Sequence, residues 1–581
     1  MPRPFSQAQQ HWQSVRVPHD FVNEGVFNSS ADRLHGYLPR GVGWYQRELV
    51  LPAASGADGA AWLHFEGAYR DTEVYVDGKL LAHHTSGYTP FSVPLPSSRP
   101  PGAKMQIAVR CDATLGEGWF YEGGGIYRSV RLITTREAAA YLTQDGVFVS
   151  SQVQAGDIHC VAGTDQGGGG HCSATSATLT IQAEVSSSSG SSSSDATTGT
   201  AVHLEHTVLD AHGRSVGVAT SAALQPPLVG GAAAVSRVEV VLQKNVSLWS
   251  VDSPALYTLR TVLVHSGSPV DTVSTSFGVR TLRYEASSGF FLNGVHVELR
   301  GVASHQDFGG VGTAVPDTLQ DFRVAAIKRM GGNAWRCAHN PPSPGFMRSC
   351  DRLGMLVMME NRRFGPGDNY DKVAPAPPLT TPEIMTDAVA MVRTHRNRAS
   401  VIMYSLCNEL GCFVDTNTSS QGATVAALTK TAIWQQDSTR PVTAAVNQGV
   451  GSGPGFGIQA VVDILGVNYQ YGQWDAWHTN HPLQPMFISE TAACTCARGT
   501  YRTVTNASVV HQSQWNCLDG GCLGGATLEE LWADVYKSKY ISGGFFWSGF
   551  DYRGEPSLIG SEAGTWPAVT SSWGPSCIVP L

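Results

Sequence analysis

Two glutamates stand at the ends of apolar runs with strand character. Glu409 closes Ser400-Val-Ile-Met-Tyr-Ser-Leu-Cys-Asn-Glu409, and Glu490 closes Met486-Phe-Ile-Ser-Glu490. Facing each other across a cleft, two carboxyl groups divide acid–base work. One, protonated, hands its proton to a leaving oxygen; the other, ionised, attacks or activates water. His339, Tyr469 and Trp547 follow or end further strand signals, and add the stacking faces and hydrogen bonds that a pyranose needs. A lone Glu at a strand end is ordinarily solvated or salt-bridged, so the reading rests on the set. By residue type and spacing alone, glycosidic cleavage stands beside other barrel hydrolases and isomerases.

The elements that would position these groups alternate. Thr381-Pro382 opens a helical pattern with Pro at the first helical position and Ile384, Ala388, Met391 and Val392 on one face, directly before the strand at Val401. From Tyr284 onward eight strand signals recur: near Val297–Arg300, Asn333–Arg336, Met355–Met359, Val401–Tyr404, Pro441–Val446, Asp463–Tyr469, Met486–Ser489 and Gly543–Trp547. Helical stretches separate them, among them Thr318–Met330 and Pro344–Leu353. This is the pattern of a (β/α)8 barrel, which presents its reactive groups at the C-terminal ends of the strands.

The chain ahead of that pattern reads as all-β. Residues 1–135 carry short alternating strands, including Trp44–Val50, Trp62–Phe65 and Glu73–Val76, with a tight hairpin signal at Asp77-Gly78. This predicts a sandwich. Within it, Glu117–Arg128 is glycine-rich, aromatic and acidic; it reads either as a solvent-exposed loop for stacking on a sugar or as a plain structural turn. Residues 136–280 predict an immunoglobulin-like sandwich that spaces and packs, with strands at Ala177–Ile181, Arg237–Leu242 and Tyr257–Val264. Gly167–Gly170 and Ser186–Ser194 are low-complexity insertions. Residues 281–581 are the barrel.

Bulk properties narrow the partners. A formal net charge of −8 over 581 residues argues against nucleic acid or an anionic membrane. No apolar run approaches a membrane span. The N-terminus lacks the apolar core of a secretory signal, which read literally means cytoplasm, with the compartment otherwise unknown. Twelve cysteines predict buried thiols or a few local disulfides; Cys494/Cys496 and Cys517/Cys522 lack zinc spacing. Four glycosylation sequons, at Asn28, Asn245, Asn417 and Asn506, are what a Ser/Thr-rich chain produces by chance.

Taken jointly, several motifs are specific. Val17-Pro18-His19-Asp20, Gly43-Trp44-Tyr45, Val76-Asp77-Gly78 and Gly125-Ile126-Tyr127-Arg128 come first. Leu248-Trp249-Ser250, Pro254-Ala255-Leu256-Tyr257 and Phe277-Gly278-Val279-Arg280 follow. The barrel contributes Arg300-Gly301-Val302 with His305, Trp335-Arg336 with His339-Asn340-Pro341, Ser405-Leu406 with Asn408-Glu409, Ser489-Glu490-Thr491, and Gly543-Gly544-Phe545 with Trp547. In this order they resemble glycoside hydrolase family 2, the group of β-galactosidases, β-glucuronidases and β-mannosidases, over nearly the whole chain.

The resemblance implies a jelly-roll sugar-binding domain, an immunoglobulin-like domain and a TIM barrel, performing a retaining double displacement on a carbohydrate. Glu409 would be the acid/base, with its pKa raised by burial and charge repulsion, and Asn408 would contact the sugar 2-hydroxyl. Glu490 would be the nucleophile, kept ionised by Tyr469, with the carboxylates about 5–5.5 Å apart. His305, Arg336, His339, Asn340, Glu360, Asn468, Tyr469 and Trp547 fall at motif positions of the sugar pocket. Family β-glucuronidases carry an Asn-x-Lys segment after the last strand; none lies between Trp547 and Leu581, and Gly549–Pro556 looks most like β-galactosidase-type members. A terminal β-D-galactoside is the expected substrate, with β-glucuronidase, β-mannosidase or a catalytically weak sugar binder as alternatives and a homo-oligomer left open. Relatives that bind magnesium use a Glu and a His soon after strand three; here Asn361-Arg362-Arg363-Phe364 stands there, so no cofactor or metal is expected. Two departures carry expectations of their own. Cys407 replaces the usual Gly, and its larger side chain would shift Glu409. The chain also stops before a helix could follow strand eight, which would leave the seam with strand one uncovered and cost Tyr284–Arg300 its packing.

Overall fold

The computed structural model describes residues 12–554 apart from 29, 33–34, 53–59, 97–101, 119, 136–139, 162–169, 188–200, 226–231, 363–378, 413–418, 448–456 and 494–526. Outside the described residues lie Trp119, Cys494, Cys496, Cys517, Cys522, Arg363 and Phe364, the sequons at Asn417 and Asn506, most of both low-complexity insertions, and everything after Gly554.

The first sandwich packs a four-stranded antiparallel sheet, Val42–Val50, Lys104–Asp112, Thr72–Val76 and Lys79–His84 in spatial order, against a three-stranded one, Phe91–Pro94, Ala61–Phe65 and Val130–Thr134. Alternation explains the core: along Thr72–Val76 every second side chain is buried, placing Val74 and Val76 against Leu63, Phe65, Ile107 and Val109. Asp77 and Gly78 both have positive φ, as a two-residue hairpin between paired Val76 and Lys79 requires.

The second sandwich is built on two long partners, His171–Ser186 and Ala234–Ser247, facing a sheet of Ser215–Thr220, Val202–Leu209, Tyr257–His265 and Ser268–Phe277. A disulfide, Cys160–Cys172, pins the short strand Ile158–Val161 to its edge.

Eight parallel strands then close into a barrel: Leu299–Ser304, Ala334–Cys337, Leu356–Glu360, Val401–Asn408, Val442–Val446, Leu465–Asn468, Met486–Thr491 and Ile541–Trp547. Strand eight pairs with strand one from Leu299↔Gly543 to Ala303↔Trp547. The strands are buried nearly throughout, as a sheet lying between its own interior and an outer layer of helices must be. The helix before strand four runs Thr381–His395; Thr380 and Glu383 form a capping box, and Ile384, Ala388, Met391 and Val392 are all buried.

The expected loss of packing at Tyr284–Arg300 does not occur. Phe290, Leu292, Val297 and Leu299 have no exposed surface and pack with Trp249, Ile402, Phe487 and Phe545. The hairpin Leu282–Leu292 packs against the barrel's N-terminal end, and its burial comes from the barrel interior and from Trp249 of the second sandwich.

Candidate active site

Strand four delivers Glu409 through an irregular end. Between Ser405↔Thr443 and Asn408↔Ala445 strand four carries one residue more than its partner, a bulge that re-aims the side chains following it. Asn408 ends the strand, and Glu409 opens a single 3-10 turn, Glu409–Cys412, with φ +42°. Cys407 lies in the bulge and is disulfide-bonded to Cys412. Its side chain is therefore tied back beyond Glu409, away from the free, intrusive role that sequence suggested. Glu490 lies within strand seven, directly opposite Asn468 of strand six.

A chain of hydrogen bonds joins the two carboxyl groups. Arg336 Nη1 donates to Glu490 Oε1 at 2.5 Å, and Arg336 Nη2 donates to Asn408 Oδ1 at 2.7 Å. Asn468 Nδ2 donates to Asn408 Oδ1 at 3.1 Å and to Glu409 Oε1 at 2.9 Å, while Ser489 Oγ donates to Asn468 Oδ1 at 2.6 Å. Tyr469 donates its hydroxyl to Glu490 Oε2 at 2.8 Å. Burial first, then the charges of Glu490 and Glu409, push the Tyr469 phenol well above its ordinary pKa, so it stays a donor.

Exposure separates groups that can touch a ligand from groups that hold them. Glu409 is 8%, Glu490 4%, Asn408 4% and Trp547 4% exposed, whereas Arg336, Glu360 and Asn468 are 0%. Arg336, Glu360 and Asn468, expected among the sugar-pocket residues, have no exposed surface and hold their neighbours through hydrogen bonds. Glu360 accepts from Arg336 Nη2 at 2.9 Å, Ser405 Oγ at 2.8 Å and the His339 ring at 2.8 Å. Burial alone would raise the Glu360 pKa, but the Arg336 guanidinium and His339 outweigh it and hold the carboxyl below its ordinary range. Conversely, burial disfavours the Arg336 charge, and Glu360 and Glu490 more than restore it. Glu360 is thereby held as the carboxylate counter-ion of Arg336.

An aromatic wall completes the site. The His339 and Trp547 rings stack at 5.3 Å and 3°. His305 meets Trp547 edge-on and is covered by Phe120, 4.0 Å away, leaving it 1% exposed. Burial, then the neighbouring His339, lowers the His305 pKa far below the imidazole range, so the ring is neutral. Asn340 lines a cavity of about 50 Å3 together with His305, Tyr127, Arg128 and Arg323.

Phe120 and Tyr552 were not anticipated. Phe120 comes from the first sandwich, in the Glu117–Arg128 loop, and bridges to Gly554 after strand eight. Of the two readings of this loop the burial fits the structural turn and not the solvent-exposed loop: Phe120 is 5% and Tyr121 and Glu122 are 0% exposed. The aromatic and glycine content that could have signalled a sugar platform serves instead to seal a rim between domains. Tyr552 accepts from Trp547 Nε1 at 3.2 Å.

A closed barrel behind two sandwiches, with two carboxyl groups wired together at its C-terminal mouth, defines a multidomain glycoside hydrolase architecture. The chain matches the family descriptions "Glycosyl hydrolases family 2, TIM barrel domain" over residues 285–558 and "Glycosyl hydrolases family 2" over residues 171–280. It belongs to glycoside hydrolase family 2. The protein named Beta-galactosidase BoGH2A, of Bacteroides ovatus, is 29% identical over 98% of this chain and 67% of its own length. A Beta-glucuronidase of Bacteroides fragilis is 26% identical over 96% and 76%. The chain spans only 50% of a putative beta-glucuronidase of Formosa agariphila. Among solved structures, a family 2 member from Bacteroides cellulosilyticus aligns over 96% of this chain and 64% of that one, with TM-score 0.75 and 24% identity. That likeness concerns the fold.

Proposed function

We propose that this chain is a retaining, exo-acting β-glycosidase that hydrolyses terminal β-D-galactosides. The observation that carries the reading is the hydrogen-bonded path Glu490–Arg336–Asn408–Asn468–Glu409, which joins two carboxyl groups from the ends of strands four and seven and leaves each a small accessible face. Glu490 attacks the anomeric carbon while Glu409 gives its proton to the leaving oxygen; the aglycone departs and a glycosyl ester remains. Glu409, now a base, takes a proton from water, which attacks the same carbon and releases Glu490 and a sugar of retained configuration. Among the described residues Asn408 Nδ2 has no hydrogen-bond partner, while its Oδ1 is held by Arg336 and Asn468, so it is oriented to donate to a sugar hydroxyl.

A neutral sugar fits the charges. The buried arginines around the mouth are committed: Arg336 to Glu360 and Glu490, and Arg362 to Glu117 and Asp387; Arg553 donates to Asn23. The relative named Beta-galactosidase matches 98% of the chain, which favours galactoside. Because other relatives are named Beta-glucuronidase, glucuronide is the second reading.

Just after strand three Arg362 brings a guanidinium, paired with Glu117, to a place where a magnesium ligand would have to stand. We propose metal-independent hydrolysis, with EDTA leaving the rate unchanged.

The test is hydrolysis of aryl β-galactoside, β-glucuronide and β-mannoside beside two variants. Glu490→Gln is expected to abolish turnover. Glu409→Ala is expected to lose about 10²–10⁴-fold and to recover partly with azide. No activity on any substrate by folded enzyme would remove the reading, and preference for glucuronide would replace its specificity.

A further inference from the structure

We infer that the Cys407–Cys412 disulfide is a positioning clamp for Glu409, so that acid/base catalysis in this enzyme depends on the oxidation state of that pair. The inference rests on the assignment of Glu409 as acid/base.

The cross-link encloses the catalytic turn. The two cysteines stand five positions apart with Cα atoms 5.1 Å from each other, and the four residues between them include Asn408 and Glu409. Glu409 holds φ +42°, a conformation that residues with a Cβ rarely adopt and keep only when their surroundings enforce it. On the pocket side Asn468 Nδ2 donates to its carboxyl. Behind the turn the restraint is covalent. Cys407, in the strand bulge, and Cys412, at the end of the 3-10 turn, both have no exposed surface. They belong to the same apolar layer as Val425, Ala426 and Ile458, and Gly422 of the helix Ser419–Gln436 packs close to the Cys412 carbonyl. The anchor therefore sits in the rigid shell between strand and helix, while the turn it closes projects into the pocket. Closing so short a loop removes most alternative paths of the backbone through Glu409.

Opening the clamp takes a dithiol. A thiolate attacks one sulfur to give a mixed disulfide, the second thiol closes a ring on the reagent, and Cys407 and Cys412 emerge as two thiols while the reagent becomes a disulfide. Two electrons and two protons pass to the protein. Glu409 then keeps its identity but loses its fixed place, as a carboxyl that must lie within hydrogen-bond reach of the leaving oxygen cannot.

Leaving-group dependence distinguishes positioning of the acid from general loosening. A 2,4-dinitrophenyl galactoside departs without protonation; a phenyl galactoside requires it. In Cys407→Ser/Cys412→Ser, kcat/KM for the phenyl substrate is expected to fall about tenfold or more, with that for the dinitrophenyl substrate kept within about twofold. Azide should raise kcat on the dinitrophenyl substrate by relieving the base-dependent second step. Dithiothreitol should impose the same split on wild type and on Cys160→Ser/Cys172→Ser, reverse with oxidised glutathione, and leave the Cys407/Cys412 variant unaltered. Cys407→Gly/Cys412→Ala repeats the test with a different pair of side chains. Unchanged kinetics on both substrates, a parallel fall on both, or non-reduced peptide mapping without a Cys407–Cys412 link would each overturn the clamp. Were Glu409→Ala itself to retain full activity, the acid/base assignment would fail instead.

Discussion

Arg336 shows how few atoms carry this site. With no exposed surface, it donates to Glu490, Glu360 and Asn408 at once, and so sets nucleophile, counter-ion and the amide beside the acid in one plane of contacts. The Tyr469 hydroxyl is the second donor to Glu490, and a hydrogen bond to a charged group is worth roughly 1.5–3 kcal/mol. Tyr469→Phe should therefore lower kcat roughly tenfold to a hundredfold with a smaller change in KM, read by steady-state kinetics. Asp307 offers a test in pH. Burial raises its carboxyl to about 7 from 3.8, more than the Arg553 amide and the charges of Arg323 and Arg553 lower it. A folded-state pKa above the unfolded one stabilises fully below the unfolded value and is lost as pH rises through the folded value. Between about pH 4 and 7 the wild type should lose stability relative to Asp307→Asn, on the order of a few kcal/mol, in denaturant titrations at matched pH.

At the scale of elements, the irregular pieces decide the chemistry. The regular strands supply a scaffold that periodicity makes legible, and the helix Pro344–Leu353 falls where its pattern predicts. The bulge at Leu406–Cys407 and the rim loop Glu117–Arg128 do not follow a period, because each is shaped by a partner distant in sequence. Phe120 covers His305 from another domain, and that contact cannot be read from either segment alone. Phe120→Ala should remove about 3–5 kcal/mol of stability and raise KM, since the wall formed by His305, His339 and Trp547 loses its backing. Thermal melts and KM measured together check it.

Across the whole molecule, the sandwiches are bolted to the barrel by buried polar groups. Arg362 of the barrel pairs with Glu117 of the first sandwich and Asp387 of the barrel, and Arg70 reaches Glu117 at 3.3 Å. Asp20 accepts from the Thr313 amide at 2.9 Å, and Arg128 donates to the Pro341 carbonyl at 2.7 Å. The second sandwich adds Arg393 with Glu184, and Trp249 donating to the Asp351 carbonyl. Removing one member of a buried ion set strands the others, at about 3–5 kcal/mol. Arg362→Leu should lower the melting temperature and separate the unfolding of the first sandwich from that of the barrel in calorimetry. A single unaltered transition would show that the set does not couple them.

The sequence by itself determined the class of architecture and the two carboxyl groups, because strand and helix periods and the motifs around Asn408-Glu409 and Ser489-Glu490 are local properties of the chain. It also placed His339, Tyr469 and Trp547 at strand ends, where the barrel does gather them. Only the tertiary structure decided how deeply each of these side chains is buried. Arg336, Glu360 and Asn468 share motifs with Glu409, Glu490 and Asn408, yet unlike those three they have no exposed surface, and depth is set by the curvature and register of neighbouring strands. The same holds for Cys407. One cysteine in place of a glycine is a bulky neighbour of Glu409 in sequence; folded next to Cys412, it becomes half of a covalent tie, since a disulfide depends on the distance between two backbones and not on either residue's type.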